Sequence, residues 1–178
     1  MEQVDILTAA GELTGAVASR NDAHRKGLWH RTVHIWIRNY NGDLLLQRRS
    51  PKKDIHPGLW DISAAGHLAA GDTSGNAACR EVLEELGVTL EISDLDYLFT
   101  VRQQHVVHDK LLMDNEINDV FLCSRPVCSD EITIDPVEVV EVAWYDTTTL
   151  KMNILEKNSR FVSHDEEYRK LFVELVDK

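Results

Sequence analysis

Residues 66–88 read GHLAAGDTSGNAACREVLEELGV, and they contain the clearest structural signal in the chain. Their second half predicts a helix over residues 73–86, with Asp72 or Thr73 as its N-cap. Gly87 follows the last helical residue, as expected of a glycine that ends a helix in the left-handed conformation. The stretch is therefore interpreted as a loop followed by one well-defined helix.

Three glutamates occupy one side of this helix. At about 100° per residue, Glu81, Glu84 and Glu85 fall within roughly 100° of one another. They lie opposite a predicted apolar arc of Ala78, Cys79, Val82, Leu83 and Leu86. Each like-charge pair costs a few tenths of a kcal/mol, and Arg80 compensates only part of this repulsion. A divalent cation would relieve all three charges, since Mg²⁺ prefers carboxylate oxygens, whereas the alternative is a solvated charged face.

Strands surround this helix along the chain. Alternating residues predict a half-buried strand over 31–37, a turn at 39–43 and a return strand over 44–49. The other predicted segments are a hairpin around Gly11-Glu12, a polar loop over 20–27, strands over 59–64, 95–104, 111–123 and 139–145, and a helix over about 165–176. Strands without regular βα alternation predict a mixed α+β domain.

Length and composition limit the classes of function that are open to this protein. The 178 residues predict one domain, with a hairpin segment 1–28 and a C-terminal segment 158–178 as appendages. The 19 Lys plus Arg face 30 Asp plus Glu, and the net charge of -11 argues against a nucleic-acid polymer as partner. Cys79, Cys123 and Cys128 fit no disulfide framework or zinc spacing, so we expect reduced thiols. Without a membrane-length apolar run or a signal peptide, we expect a cytoplasmic protein with no membrane partner.

The stretch from Gly66 to Val88 resembles the signature of the Nudix hydrolases. The matching positions are Gly66, Arg80, Glu81, Val82, Glu84, Glu85, Gly87 and Val88. Asp72 stands where the family has a glutamate, and its shorter carboxylate can still accept amide hydrogen bonds at a helix start. The resemblance implies an α+β Nudix fold, with a mixed sheet between helices. It also implies hydrolysis of a diphosphate joined to a group X, as in a nucleoside diphosphate derivative, with Mg²⁺ or Mn²⁺ as cofactor.

The same resemblance implies roles for the site residues. Glu84 and Glu85 would be the principal metal ligands, and the backbone carbonyl of Gly66 would be a further one. Glu81 would be either another ligand or the base that activates water, with Arg80 holding it in place. Glu116, on a strand further along the chain, is the rival base or ligand. Carboxylates that hold a divalent cation suit phosphoryl transfer, which depends on positioning and charge neutralisation.

The flanking sequence resembles the isopentenyl diphosphate isomerase branch of the same superfamily. In that isomerase three histidines and two acidic residues hold a metal, and the matching positions here are His24, His30, His67, Asp114 and Glu116. Ala65 stands where the isomerase needs a cysteine, and a methyl group cannot transfer a proton. We therefore predict a hydrolase on an isomerase-like scaffold, with a second, histidine-rich metal site as a hypothesis. Hydrogen-bonded surface histidines are the alternative.

A basic stretch follows the predicted return strand. It contains Arg48, Arg49, Lys52 and Lys53, which would capture a diphosphate through bidentate arginine contacts and lysine charge. Simple solvation of a loop is the alternative interpretation. The expected partner is a small-molecule diphosphate, and a homodimer is compatible with the sequence. Neither the identity of X nor the oligomeric state follows from any motif.

Three other functions stay open at this point. The first is an isopentenyl diphosphate isomerase, which Ala65 disfavours. The second is a Nudix domain that binds a nucleotide or a protein without catalysis, because a fold does not imply a function. The third is an acidic scaffold protein that binds no metal. The intact set of Glu81, Glu84 and Glu85 disfavours the second function, and failure to bind a divalent metal would support the third.

Overall fold

Nine strands and four helices make up the part of the chain that the structure, a computed structural model, describes: residues 2–53, 55–107 and 112–176. The strands are β1 (Gln3–Leu7), β2 (Leu13–Ser19), β3 (His30–Trp36), β4 (Leu44–Arg49), β5 (Trp60–Asp61), β6 (Ala64–His67), β7 (Leu95–Val107), β8 (Leu112–Cys123) and β9 (Val139–Tyr145). The helices are α1 (Arg20–Lys26), α2 (Ser74–Leu86), α3 (Thr147–Leu155) and α4 (Asp165–Glu174). The predicted mixed α+β architecture is confirmed.

The strands form three sheets. The largest has the order β6-β3-β8-β7, in which β3 and β8 are parallel and the other pairs are antiparallel. A second sheet has the antiparallel order β5-β4-β9, and β1 pairs with β2 in a hairpin. The predicted hairpin is therefore confirmed, as are the strands over 44–49, 95–104 and 139–145. The predicted strand over 111–123 is confirmed from residue 112 onward, and residue 111 lies outside the described residues.

Two apolar layers cover the two faces of the central strand β3. Val33 and Ile35 pack in the layer that also contains Ala78 and Val82 of α2. Trp36 lies in the opposite layer, which includes side chains of α3 and α4. The expectation of a half-buried strand is wrong, because β3 lies between β6 and β8 and is covered on both faces. The same face that carries Trp36 also carries His30 and His34, and His34 lines a cavity.

Helix α2 begins and ends where the sequence predicts. Thr73 is the N-cap, and its side chain accepts a hydrogen bond from the Asn76 amide. Asp72 instead accepts from the Thr73 amide at 2.8 Å, so the cap belongs to Thr73. Gly87 adopts φ 68°, the left-handed conformation that glycine tolerates best.

The buried face of α2 differs from the predicted apolar arc. Leu83 is 50% exposed, whereas Glu81 and Glu85 are 8% and 5% exposed. The arc was assigned by residue polarity, but the helix packs so that two of its carboxylates face inward at the edge of the largest sheet. This inward position is the first structural sign of a site, because buried carboxylates need compensating partners.

Three local predictions are wrong. Residues 20–27 form helix α1 instead of a polar loop, capped by the Ser19 side chain and ended by Gly27 at φ 61°. The predicted strand over 59–64 is two strands, β5 and β6, that join different sheets. Helix α3 was not predicted, because its apolar residues show no strong helical periodicity.

Two further expectations concern thiols and membranes. The three cysteines are free, as predicted. Among the described residues, every helix is too short or too polar to cross a membrane.

Helix α4 packs into the second apolar layer through Tyr168, Leu171 and Phe172. We predict that Leu171→Ala lowers the free energy of unfolding by about 2–5 kcal/mol, because it leaves a cavity in a fully buried position. Val173→Ala on the same helix is the control, since Val173 is 62% exposed. It should change the free energy by less than about 0.5 kcal/mol in denaturant titration. Equal effects of the two changes would contradict this packing.

Candidate active site

One cavity of about 1050 Å³ brings most of the predicted site residues together. Its walls carry the three glutamates of α2, Gly66 and Arg80, together with cationic side chains from two parts of the chain. Four residues of the isomerase-like set also line it, namely His24, His67, Asp114 and Glu116. His30 is not among the lining residues, but its ring stacks on that of His67 and its Nε2 lies 3.7 Å from Glu116. The volume is typical of sites for small organic ligands.

Gly66 on β6 lies directly against the carboxylate of Glu81. A Cβ atom at position 66 would overlap the Glu81 carboxyl group, so only glycine fits while this glutamate stays buried. Gly66 pairs with Val33 across β3 and β6, which places it on the sheet face that α2 covers. The spacing between the glycine and the first helix glutamate therefore has a steric cause.

Arg80 ties the helix to strand β6. Its Nη1 donates to Glu81 Oε1 at 2.6 Å and to Glu84 Oε2 at 3.3 Å, while its Nη2 donates to the His67 carbonyl at 2.7 Å. The guanidinium thus orients Glu81 and partly neutralises two carboxylates. Glu84 stays exposed at the cavity wall, with 58% of its side chain accessible.

Glu85 is held by uncharged donors. Its Oε2 accepts from Gln47 Nε2 at 2.9 Å and from the Ala65 amide at 3.2 Å. Burial raises the pKa of Glu85 to about 7, and the nearby Glu81 charge adds to this shift. Burial likewise raises the pKa of Glu81 to about 7, although Arg80 opposes the shift. Two carboxylates with raised pKa values in one cavity are a common feature of functional sites.

Of the four basic residues predicted to bind substrate, three line the cavity and one does not. Arg48 pairs with Glu141 at 3.3 Å, half exposed, and is not among the residues that line the cavity. Arg49 lines the cavity, with Nη1 donating to Asp61 Oδ2 at 2.9 Å. Lys52 also lines the cavity.

Lys53 lines the same cavity and forms an ion pair with Glu138. Burial lowers the pKa of the Lys53 amino group, against the opposing effect of the Glu85 charge. Arg20 and Arg25 of α1 line the cavity as well, and the sequence analysis missed both because it assigned their segment to a loop.

Three histidines and two acidic residues cluster on the polar face of the largest sheet. His30 pairs with Glu116 across β3 and β8, and His67 of β6 lies two positions along. The ligand atoms of His24, His30, His67 and Glu116 all lie within 4.8 Å of one another. Asp114 joins them through its Oδ1, which lies 2.9 Å from His24 Nδ1. The structure therefore brings the whole predicted set together.

The protonation pattern of this cluster suits a cation. His30 Nδ1 donates to the Leu28 carbonyl at 2.9 Å, which leaves Nε2 facing Glu116 at 3.7 Å. Among the described side chains, His30 Nε2 is a buried nitrogen without a hydrogen-bond partner. Burial lowers the pKa of His30 and His67, so both favour the neutral form that binds metals. Burial also raises the pKa of Glu116, with the Asp114 charge adding to the shift.

Sequence reasoning missed several groups that line the cavity. They are Thr32, His34, Asp61, Gln103, Glu138 and His164. Thr32 and His34 could have been found, because they alternate with the apolar residues of β3 on the same face as His30. The others come from separate segments that only tertiary structure brings together.

Comparison with known proteins supports the fold and shows the family. A sequence model of the NUDIX domain matches residues 28–165 of the chain. Nudix hydrolase 3 of Arabidopsis thaliana is 40% identical over 176 residues, covering 96% of this chain but only 23% of that protein. An uncharacterized Nudix hydrolase of Listeria innocua is 32% identical, covering 92% of this chain and 90% of that protein. The chain thus spans less than a quarter of the Arabidopsis relative.

An isopentenyl-diphosphate Delta-isomerase of Cereibacter sphaeroides is 32% identical, covering 79% of this chain and 76% of the isomerase. Among solved structures, a Deinococcus radiodurans protein has a TM-score of 0.66 and 21% identity, covering 94% of this chain and 96% of its own. The Nudix domain of Shewanella oneidensis NrtR, solved with ADP ribose, has a TM-score of 0.60 and 16% identity, covering 82% of this chain and 87% of its own. The NUDIX model matches most of the chain, which also has the glycine under Glu81 and the three glutamates of α2. The chain therefore belongs to the Nudix hydrolase family.

Proposed function

We propose that this protein is a metal-dependent hydrolase that cleaves the diphosphate linkage of a small molecule of the nucleoside diphosphate-X type. The observation that carries the proposal is the presence of Glu81, Glu84 and Glu85 on one wall of a cavity that also carries cationic side chains. Two of these carboxylates are buried with raised pKa values, which is a costly arrangement unless a cation offsets it.

Mg²⁺ or Mn²⁺ fits the donor set, since the carboxylate oxygens of α2 and the Gly66 carbonyl are hard oxygen ligands. We propose Glu84 and Glu85 as principal ligands, with Glu81 and Gly66 as further ones. The bound cation would neutralise charge on the diphosphate and make a water molecule more acidic.

The reaction needs water to attack phosphorus, the bond from that phosphorus to the bridging oxygen to break, and a base to accept the water proton. We propose Glu81 and Glu116 as the two candidates for the base. A carboxylate with a pKa near 7 suits this role at neutral pH, as for Glu81. Arg80 would act as a positioning residue through its 2.6 Å hydrogen bond to Glu81.

Cationic side chains would bind the substrate phosphates. Arg49, Lys52 and Lys53 line the cavity, as does Arg20 from α1. Arg49 is pre-oriented by Asp61, so its guanidinium loses little freedom when a phosphate binds. Arg48 is the member of the predicted set that we leave out of this role, because it pairs with Glu141 outside the cavity.

A second metal site is the other proposal that a specific observation favours. His24, His30, His67, Asp114 and Glu116 would hold a cation, which would give His30 Nε2 a partner that it lacks among the described residues. This arrangement also resembles that of the isomerases, but Ala65 offers no proton to carbon. Hydrolysis therefore stays the preferred chemistry.

We predict that Glu84→Gln lowers kcat for diphosphate hydrolysis by about 10²- to 10³-fold, because it removes an anionic ligand of the proposed cation, and that cation would offset the negative charge that develops on the phosphate. The assay is product release from nucleoside diphosphates, triphosphates, dinucleotides, nucleotide sugars and isopentenyl diphosphate with Mg²⁺, Mn²⁺ or chelator. Glu156→Gln, at an exposed glutamate outside the cavity, is the control and should match the wild type. Wild-type turnover by Glu84→Gln would refute the assigned site.

Removal of metal should make stability depend on the raised pKa values of Glu81 and Glu85. Both carboxyls have a pKa of about 7 in the folded protein, against an ordinary value of 4.5. Between these two pH values the folded protein therefore binds more protons than the unfolded chain. Their contribution to stability therefore falls as pH rises from about 4.5 to 7. The buried histidines act oppositely, because their folded pKa values are lowered.

The comparison of wild type with Glu85→Gln isolates the carboxylate effect. In chelator, we predict that Glu85→Gln gains Tm relative to the wild type as pH rises from 5 to 7.5, and that Mg²⁺ abolishes this advantage. Thermal unfolding followed by circular dichroism measures the difference. A Tm difference that is independent of pH would contradict the buried, uncompensated state of Glu85.

The histidine site is tested by metal stoichiometry. We predict that His30→Gln loses one class of bound Mn²⁺ while it keeps the class that Glu84→Gln weakens. Glutamine at position 30 can still donate to the Leu28 carbonyl, so the local fold has a replacement donor. Electron paramagnetic resonance counts free and bound Mn²⁺, and circular dichroism checks folding. If the wild type and a folded His30→Gln variant bind equal numbers of Mn²⁺ ions, the proposal of a second metal site is contradicted.

A further inference from the structure

The guanidinium group of Arg49 is held by two of its three nitrogens. Nε donates to the Ile55 carbonyl at 3.1 Å, and Nη1 donates to Asp61 Oδ2 at 2.9 Å. Among the described residues, Nη2 has no hydrogen-bond acceptor, and Arg49 lines the cavity. The protein thus fixes the direction of this side chain and leaves one nitrogen for an anion.

Asp61 joins Arg49 to a buried histidine. Its Oδ1 lies 2.8 Å from His164 Nε2, and Asp61 and His164 are only 4% and 8% exposed. Burial would raise the pKa of Asp61, but the His164 and Arg49 charges outweigh burial and lower that pKa. Asp61 is therefore an ionised carboxylate with a cation on each oxygen.

Both nitrogens of His164 face oxygen atoms. Nε2 faces Asp61, and Nδ1 lies 3.3 Å from Gln103 Oε1, which also accepts from Asn118 Nδ2. An imidazole can donate from both nitrogens only when it is doubly protonated. Burial would lower the pKa of His164, but the Asp61 charge outweighs burial and raises it. His164 therefore carries a positive charge in this arrangement.

The other titratable groups packed around His164 come from β3 and α4. The ring centroid of His34 lies 5.2 Å from that of His164, and the ring of Tyr168 lies 6.0 Å away. His34 donates from Nδ1 to Glu167, and its Nε2 faces the Asn118 amide nitrogen, so His34 is neutral. Burial raises the pKa of Tyr168 well above its ordinary value, so the phenol is neutral as well. Burial would raise the pKa of Glu167, but its contact with His34 outweighs burial and lowers it.

The segment before α4 places His164 beside Asp61. Trp60 of β5 forms a parallel bridge with Phe161. The Trp60 amide donates to the Arg160 carbonyl at 2.8 Å, and the Val162 amide donates to the Trp60 carbonyl at 2.8 Å. Asp61 follows Trp60 directly, so these backbone bonds bring the histidine and the carboxylate together.

The charges of this group are balanced only while His164 is protonated. Asp61 and Glu167 contribute two negative charges, and Arg49 and His164 contribute two positive charges. Loss of the His164 proton would leave the group with a net negative charge, and Asp61 would then be offset by Arg49 alone. Water screens such buried charges little, so the change would weaken the attraction of Arg49 for an anion.

We propose that His164 is a positioning residue for Arg49: it holds and neutralises Asp61, which leaves the Arg49 guanidinium oriented and charged for a phosphate group. The proposal rests on the phosphate-binding role proposed above for Arg49 and deepens it. It makes phosphate affinity depend on the proton of a histidine that acts through Asp61.

Calorimetry with methylenediphosphonate tests the proposal. Water cannot hydrolyse the P–C–P bridge of this diphosphate analogue, so the Kd in Ca²⁺ is independent of turnover. In His164→Gln, the glutamine can donate to Asp61 but carries no charge. We expect this variant to bind the analogue about five- to tenfold more weakly at pH 6. The difference should shrink as the pH rises to 9, because the wild type then loses the His164 proton.

A double-mutant cycle tests whether His164 acts through Arg49. Arg49→Gln should weaken binding by itself, and adding His164→Gln should change the Kd by less than about twofold further. Ser163→Ala is the matched control next to His164. It removes a 2.8 Å hydrogen bond from the Ser163 hydroxyl to Asp165, and Ser163 does not line the main cavity. This variant should bind the analogue as the wild type does.

Nuclear magnetic resonance gives a readout that needs no substitution. If the His164 proton favours the anion, the anion must favour the proton to the same extent. Methylenediphosphonate should therefore raise the pKa of His164 in the wild type, with the imidazole assigned through its backbone resonances. A purely structural role of His164 leaves this titration unchanged.

The outcomes separate this proposal from the hydrolase function. Analogue binding that depends on His164, without hydrolysis of any diphosphate, supports the positioning role and contradicts the hydrolase. Hydrolysis by the wild type, together with an unchanged Kd in a folded His164→Gln variant, overturns the positioning role alone. An equal effect of His164→Gln with and without Arg49 overturns it too, as does a His164 pKa that the analogue does not change. Failure of the wild type to bind the analogue also overturns it.

Discussion

The contact between the Glu81 carboxylate and Gly66 is the constraint on which the site depends. A side chain at position 66 would occupy the space of the carboxylate, so glycine lets helix α2 approach the edge strand β6 closely enough to bury two glutamates. Arg80 then holds this approach by bonding both Glu81 and the His67 carbonyl. Burial of charge is costly, and a bound cation would offset this cost. Without a cation, Glu81 and Glu85 stay partly protonated at neutral pH, because burial raises both pKa values to about 7.

Strand β3 connects the sheet edge beside Gly66 and α2 with the rest of the cavity. Val33 and Ile35 pack under α2, whereas Thr32 and His34 line the cavity and Trp36 lies in the apolar layer with α4. One strand therefore supports the apolar layer and also carries His30, Thr32 and His34. Glu167 of α4 bonds both His34 and Trp36, so the C-terminal helix is attached to the polar face as well as to the apolar layer. The same contacts therefore stabilise the fold and determine the shape of the cavity.

Much of this arrangement could be predicted from the sequence, because it depends on local patterns. Helix α2 with its caps, most strands and the α+β class follow from periodicity and from glycine and threonine positions. The family resemblance indicated the histidine set, and the structure brings it together. Burial of Glu81 and Glu85 could not be inferred, since helical periodicity assigns faces by polarity and Leu83 is the residue left half exposed. The hydrogen bonds that connect Glu167 to Asp61 through His34, Asn118, Gln103 and His164 could not be inferred either, because they join five separate segments that only the folded chain brings into contact.

We propose that the three carboxylates of α2 share a cation beside Gly66. Anomalous scattering from crystals saturated with Mn²⁺ tests it most directly, because it locates the metal without assuming a substrate. We predict a strong peak within coordination distance of the carboxylate oxygens of Glu81, Glu84 and Glu85. A Mn²⁺-saturated crystal with no peak at these carboxylates, including one whose only peak lies among the histidines, would contradict it.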